Sequence, residues 1–311
     1  MKTQKIKWLL FHEPAELFIR TAEDFQRHLD ELTNNKFQIE ILTLEDYQDK
    51  YLNGSTCDAF AELKNGNVQI SQIYADIFGC FNATDFYALS MPYLFDSHDH
   101  STRVFEGEVG KKLFDHLYEK TAVRGLSYTY SGGYRCTASN TPIRSVEDFA
   151  GKMYHRETNP ILADMIDLVN AVKSQNTDYK AKTLDIQQTT YPRYHADTKG
   201  HRDHVYVSDT KHSMYLTAIL MNDTFWSNLS DTDKAHFQEA GLRASRNERI
   251  KSVEDGEKIR TSKAKQEELG IKEVIGWSDS EIDRLKAVWS PLYKKYENFF
   301  SFDVLNQIKK S

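Results

Sequence analysis

The sequence predicts an α/β protein with mixed sheets, arranged as two lobes. Three observations lead there. Strand and helix patterns alternate through the first third, in the order expected of a parallel or mixed sheet. A second pattern of the same kind begins near residue 121. Beyond residue 229 the chain runs helical for some 40 residues, and so long a helix in an α/β protein reads as a strut spanning two lobes. The length of 311 residues fits about two domains.

Taken in order, KIKWLLFH (5–12) is a first strand, continuously apolar from Trp8 to Phe11 as a strand covered on both faces requires. PAELFIRTAEDFQRHLDELT (14–33) follows as a helix, with Leu17, Phe18, Ala22, Phe25, Leu29 and Leu32 at three- and four-residue spacings. FQIEILTL (37–44) alternates and is a second strand. A weaker helix through AFAELKNG ends at Gly66, and VQISQIY (68–74) is a third strand. VRGLSYTYSGGYRCTASN (123–140) reads as strand, glycine turn, strand. SVEDFAG (145–151) opens on a serine N-cap and ends in glycine, KMYHR is a short strand, and ILADMIDLVNAV (161–172) is a helix. The long helix covers 229–270, with a cap signal at Ser230, Asp233 three residues on, and Gly241 and Gly256 as its few breakers. SDSEIDRLKAVWSPLYKKYENFF (278–300) is a C-terminal helix. No repeat, low-complexity tract or Pro/Gly-rich linker interrupts the chain, so two lobes imply several chain crossings.

Composition narrows the function. With 40% apolar residues, 12% aromatic and 28% charged, the chain has the make-up of an ordinary globule. Its net charge of −6 argues against a nucleic-acid footprint, yet leaves room for a small anionic ligand held by one or two local cations. No apolar run approaches the roughly 18 residues a membrane helix needs. The run Trp8–Phe11 after two lysines is too short for the core of a signal peptide, so the totals leave a cytoplasmic protein and one whose leader precedes this sequence both open. Cys57, Cys80 and Cys136 are odd in number and form no CxxC, so at least one thiol is unpaired.

Candidate chemistry lies in a few stretches. SHDHS (97–101) sets His98 and His100 two apart, a spacing that chelates zinc from a strand, but Asp96, Ser97 and Asp99 read better as helix-capping residues. His195, His201, His204 and His212 fall in a stretch rich in Lys, Arg, Asp and Gly that reads as a solvated loop. HExxH, GxSxG and GxxxxGK[ST] are absent, and no cysteine has an evident catalytic partner. No metal site or cofactor is therefore expected. In SGGYRCTASN, Gly132 and Gly133 allow a sharp turn at a strand end, and Arg135 follows. A guanidinium there can fork onto a carboxylate with two parallel hydrogen bonds, although an ordinary surface arginine is the simpler reading of that residue alone. GKMYHRETN (151–159) packs Lys152, His155 and Arg156 closely together.

Several blocks, in order, resemble the solute-binding proteins of TRAP transporters (tripartite ATP-independent periplasmic), the DctP-type family. MPYLFDSHDHSTRVFEGEVGKKLFDHL, GGYRCTASNTPIRSVEDFAGKMYHRETNPI, LDIQQTTYPRY and DTKHSMYLTAILMNDTFWSNLSDTD each match a block of that family, and together they cover nearly the whole chain. The resemblance implies a periplasmic-binding-protein-like fold: two lobes, a ligand cleft between them and a long helix crossing both. Lobe I is then 1–130 with about 216–255, and lobe II 131–215 with about 256–311. It implies a monomeric periplasmic protein, its signal peptide absent from this sequence, that closes around a small polar or anionic organic solute and delivers it to membrane permease subunits. It implies no enzyme. The rivals are a metal-dependent hydrolase using the histidines and a ligand-binding sensor module.

Carried over residue by residue, the resemblance puts one family arginine on Arg135. The arginine that usually forks onto the ligand carboxylate falls on His155, and an acidic residue falls on Gln188. The expected pocket thus loses one fixed positive and one fixed negative charge. Three readings stay open: His155 lines the pocket and brings pH dependence, a bulge swings Arg156 inward, or the pocket does not clamp a simple carboxylate in the usual way. Since ligands of open α/β sheets sit beyond the carboxyl ends of strands, further walls are expected at His12, Glu13, Gln72, Tyr74, Gln188, Thr189, Tyr191 and Arg193. His212, in the TKHS block, is as readily a buried structural histidine. A Glu13 carboxylate facing the ligand opposite Arg135 would suit an amino-acid-like zwitterion.

Overall fold

A computed structural model describes residues 3–12, 15–176, 181–196 and 203–311. Among these, the strands are β1 (Gln4–Leu10), β2 (Phe37–Leu42), β3 (Ile70–Tyr74), β4 (Val123–Tyr134), β5 (Cys136–Ser139), β6 (Met153–Tyr154), β7 (Val172–Lys173), β8 (Ile186–Thr189), β9 (Tyr206–Ser208), β10 (Met214–Asn222) and β11 (Glu273–Ile275). The chain divides into two compact units. One comprises Met1–Ala83, Phe105–Ser131 and Leu216–Lys251, the other Thr84–Val104, Gly132–Tyr215 and Ser252–Ser311.

The first unit is built on a sheet of order β2-β1-β3-β10-β4. β1 runs parallel to both neighbours, with Trp8 opposite Ile41 on one side and Ile70 on the other, while β10 runs antiparallel to β3. Trp8 and Leu9 are fully buried because both faces of β1 are covered. The helix Ala15–Thr33 lays Phe18, Ala22, Phe25 and Leu29 into the core, and Phe25 meets Trp8 edge-on at 5.1 Å. Phe237, from the long helix, closes the same core against Phe37.

The second unit carries a sheet of order β11-β9-β5-β8-β6-β7. β5 is antiparallel to both β8 and β9, whereas β6 is parallel to β7 and β8. Its core includes Cys136, Ala138, Tyr191, Tyr194, Val207 and Ile259. The helix Pro160–Leu168 begins on Asn159, whose side chain accepts from the Ile161 amide, and Trp289 donates its indole N–H to the Met165 carbonyl at 2.9 Å.

Three local expectations are corrected, and one helix is added. In 123–140 two strands form as expected, but the break is not at the glycines: β4 continues through Gly132 and Gly133, which take φ of +93° and +86°, and Arg135 links β4 to β5. The long helix ends at Thr261, not 270, because Ser262 caps a separate helix, Lys263–Glu268, by accepting from the Lys265 amide. The C-terminal helix divides into Asp279–Trp289 and Pro291–Tyr296, since Pro291 lacks the amide a continuous helix needs. A helix at Leu44–Leu52, anticipated nowhere in the pattern, starts at a Thr43–Asp46 capping box. The three cysteines are all free thiols: Cys80 exposed, Cys57 half-buried and Cys136 buried.

Candidate functional site

In the second unit Arg135, His155, Gln188 and Arg193 lie near the start of β5 and the ends of β6 and β8. Arg135 is the centre. It is 1% exposed, although it is a large charged residue between two strands. Its amide donates to the Ser213 carbonyl at 2.7 Å, which fixes the backbone. Its guanidinium donates to Gln188 Oε1 at 3.2 Å and lies over the ring of Tyr215 at 3.7 Å. Arg193, 7% exposed, approaches the same ring at 5.2 Å. Two buried guanidinium groups therefore converge on one aromatic ring.

Gln188 lies in β8 opposite Thr137 of β5, so the sheet register carries it to Arg135. The same Gln188 Oε1 is 3.3 Å from His212 Nε2, and His212 Nδ1 is 2.7 Å from the Thr210 hydroxyl. His212 is 1% exposed. Burial, followed by the nearby Arg135 charge, lowers its pKa to about 3, so the ring is neutral in any ordinary buffer. Thr189 is buried next to Gln188, and the Thr190 hydroxyl accepts from the Arg193 amide at 3.2 Å, holding the start of the short helix Tyr191–Ala196. Tyr191 is buried in the hydrophobic cluster with Cys136 and Tyr194.

His155 and Arg156 separate clearly. β6 stops at Tyr154, and the His155 amide donates to the Ile186 carbonyl of β8 at 2.9 Å. His155 is half-buried, whereas Arg156 is exposed. His155 Nδ1 faces Glu157 Oε1 at 3.7 Å, with both side chains under one-fifth exposed. Burial pushes the Glu157 carboxyl up. His155, together with the charges of Arg135 and Arg193, more than offsets this and holds its pKa below the ordinary carboxylate value. Glu157 and Tyr215 were not among the sequence candidates. A carboxylate directly after the cationic pair in HRETN was the available signal for the first; Tyr215, inside an apolar strand pattern, gave none.

In the first unit the rings of His12 and Tyr74 pack at 4.2 Å. Gln72, 1% exposed on β3, donates to the Thr217 hydroxyl at 2.9 Å, and its Oε1 is buried without a hydrogen-bond partner. Glu13 lies outside the described residues.

The histidine-rich stretches are structural where described. His100 is buried and within 2.8 Å of the Ile308 carbonyl; His204 is buried and bridges Gln187 and the Leu184 carbonyl. The expected solvated loop is thus in part core, because backbone carbonyls accept from these rings. His195 is exposed, and His201 lies outside the described residues. Among the described residues no group of three or more His, Cys, Asp or Glu is placed to hold a metal ion, and no helix is long and apolar enough to cross a membrane.

Known proteins share this architecture. The structure of a TRAP periplasmic solute-binding protein from Desulfovibrio desulfuricans, with bound sn-glycerol-3-phosphate, superposes with a TM-score of 0.85 at 17% identity, covering 99% of this chain and 97% of that one. One from Shewanella oneidensis with bound succinate gives 0.82 at 18% identity, covering 99% of both. The C4-dicarboxylate-binding protein DctB of Bacillus subtilis is 22% identical over 297 residues, 92% of this chain and 80% of that protein. The family description for bacterial extracellular solute-binding proteins, family 7, matches residues 11–298. The chain therefore belongs to this DctP family, the solute-binding proteins of TRAP transporters, which bind ligands and are not enzymes.

Proposed function

We propose that this protein captures a small organic solute bearing at least one carboxylate in the periplasm and presents it, as a monomer, to the membrane permease of a TRAP transporter. The observation that carries the ligand class is the convergence of Arg135 and Arg193, both almost fully buried, on the ring of Tyr215. A carboxylate can accept forked hydrogen bonds from such guanidinium groups, and burial strengthens the charge contact. The relatives point the same way: one is named for C4-dicarboxylates and one structure holds succinate.

The test is a thermal-shift and calorimetric screen against mono- and dicarboxylates, sugar acids and amino acids. A ligand at about 100 times its dissociation constant stabilises the folded state by about 2.7 kcal/mol. Binding that is lost in both Arg135→Ala and Arg193→Ala, with the ligand-free variants still folded by circular dichroism, is the expected result. Undiminished carboxylate binding in both variants would remove the arginine pair from the site, and no carboxylate hit at all would overturn the ligand class.

A further inference from the structure

Glu157 gives the second unit's cationic cluster a specificity that the arginines alone lack. We propose that Glu157 is an ammonium-recognising residue, so that the preferred solute carries a protonated amine close to its carboxylate, as an amino acid does. This rests on the carboxylate-binding function proposed above and names the ligand more narrowly.

The placement of Glu157 is fixed by its neighbours in sequence. Upstream, Tyr154 pairs with Ile186 and the His155 amide bonds the Ile186 carbonyl, tying the chain to β8 two residues before Gln188. Downstream, Asn159 is 2% exposed, caps the helix Pro160–Leu168 and donates to the Ser90 hydroxyl at 2.9 Å. Between these anchors the Glu157 side chain is 18% exposed and faces His155. Gln188 of that same strand, β8, bonds the Arg135 guanidinium, so Glu157 is anchored beside the strand that carries Arg135's partner, and the charges of Arg135 and Arg193 help keep it ionised.

An ionised carboxylate at this position discriminates in two ways. An incoming carboxylate that takes up Arg135 and Arg193 draws the counter-charge away from Glu157 and meets it as a like charge. A ligand with only carboxylates pays that repulsion in full. A ligand with an adjacent ammonium instead forms a charge-assisted contact with Glu157, so the same residue attracts one class and repels the other. His155 retains a role in this arrangement, since its Nδ1 faces Glu157 and orients that carboxylate.

The experiment compares matched pairs: succinate with L-aspartate, glutarate with L-glutamate, and butyrate with L-2-aminobutyrate, each titrated into wild-type protein and Glu157→Gln. At least one amine should bind about tenfold or more tightly than its amine-free partner in the wild type, a difference of about 1.4 kcal/mol. Glu157→Gln should abolish or invert that preference and keep or improve binding of the amine-free partner. Melting of the ligand-free variant checks that it is folded, and Glu157→Asp should retain part of the preference. Amine-free carboxylates binding as tightly as the amines, or an amine preference unchanged in Glu157→Gln, would overturn the ammonium site while leaving the carboxylate function intact. Failure of every pair to bind would overturn this inference, whereas the carboxylate function falls only if the wider screen, sugar acids included, also gives no hit.

Discussion

Gln188 accepts a hydrogen bond from the Arg135 guanidinium at 3.2 Å, and both residues are buried. A neutral amide satisfies one donor without cancelling the charge, so this contact orients the guanidinium and leaves its field to act on a ligand. Gln188→Glu keeps the shape and the acceptor but adds a charge. The buried pair it creates should draw Arg135 into an internal ion pair. The expected outcome is about tenfold or greater loss of affinity for carboxylate ligands, with a ligand-free melting temperature no lower than that of the wild type. Calorimetry on the screened ligand decides this: unchanged affinity would mean that Arg135 does not act as the ligand's counter-charge.

The same amide sets the state of His212. Arg135 has only donors, so the Gln188 atom it meets is the oxygen. His212 Nε2, 3.3 Å from that oxygen, must then carry the hydrogen, and Nδ1 accepts from the Thr210 hydroxyl at 2.7 Å. A proton added at Nδ1 would reverse the second bond, with the Thr210 hydroxyl now accepting, and place a buried charge next to Arg135. The folded pKa of about 3 lies below the ordinary value of 6.5, so the folded state favours the neutral ring. Stability from this source is complete above pH 6.5 and is lost as pH falls from there toward 3, by up to about 1.4 kcal/mol per pH unit. His212→Gln keeps an amide donor near the position of Nε2 but cannot titrate. Urea unfolding between about pH 4.5 and 6.5 should give a shallower loss of stability for the variant, by a slope approaching one proton. Carboxylates elsewhere are common to both proteins and cancel in the comparison. Equal slopes would show that His212 is not held neutral by the fold.

What the sequence revealed follows physical lines. β1 was legible because Trp8, Leu9 and Leu10 are buried on a doubly covered strand, which leaves an uninterrupted apolar run. The helix Ala15–Thr33 was legible because one face enters the core and writes its spacing into the chain. The helix Leu44–Leu52 buries only Tyr47, so its sequence carries almost no periodicity, and only its capping box announces it. The end of the long helix at Thr261 goes with side-chain caps that composition does not weigh, the Ser262 hydroxyl at the start of the next helix and the Gln266 amide on the Ile259 and Arg260 carbonyls. Among the candidate site residues, Arg135 drew notice through the glycine pair before it, but that pattern alone favoured a surface arginine, and it was the family resemblance that singled it out. Glu157 follows the cationic pair in HRETN, but it acquires its meaning through tertiary placement near Arg135 and Arg193, which that local signal does not encode.

Gly132 tests how tightly the arginine cluster depends on backbone geometry. It takes φ of +93°, and a Cβ there would lie 1.9 Å from the Thr190 hydroxyl oxygen and 3.1 Å from Pro192 Cδ. Thr190 holds the amide of Arg193, so an added methyl group must move the start of the helix Tyr191–Ala196 and the guanidinium it carries. Gly151 is the matched control: φ is +74°, and a Cβ would meet nothing within 4 Å. Gly151→Ala therefore incurs only the left-handed backbone cost, about 1–2 kcal/mol, and should leave ligand affinity unchanged. Gly132→Ala incurs that cost and the collision, so it should be the more destabilising by about 1 kcal/mol or more and should weaken carboxylate binding. Chemical denaturation of both variants, followed by titration of each with the same ligand, separates the two contributions. Equal destabilisation with equal affinity would show that the Thr190 contact yields without moving Arg193, and that the cluster tolerates the shift.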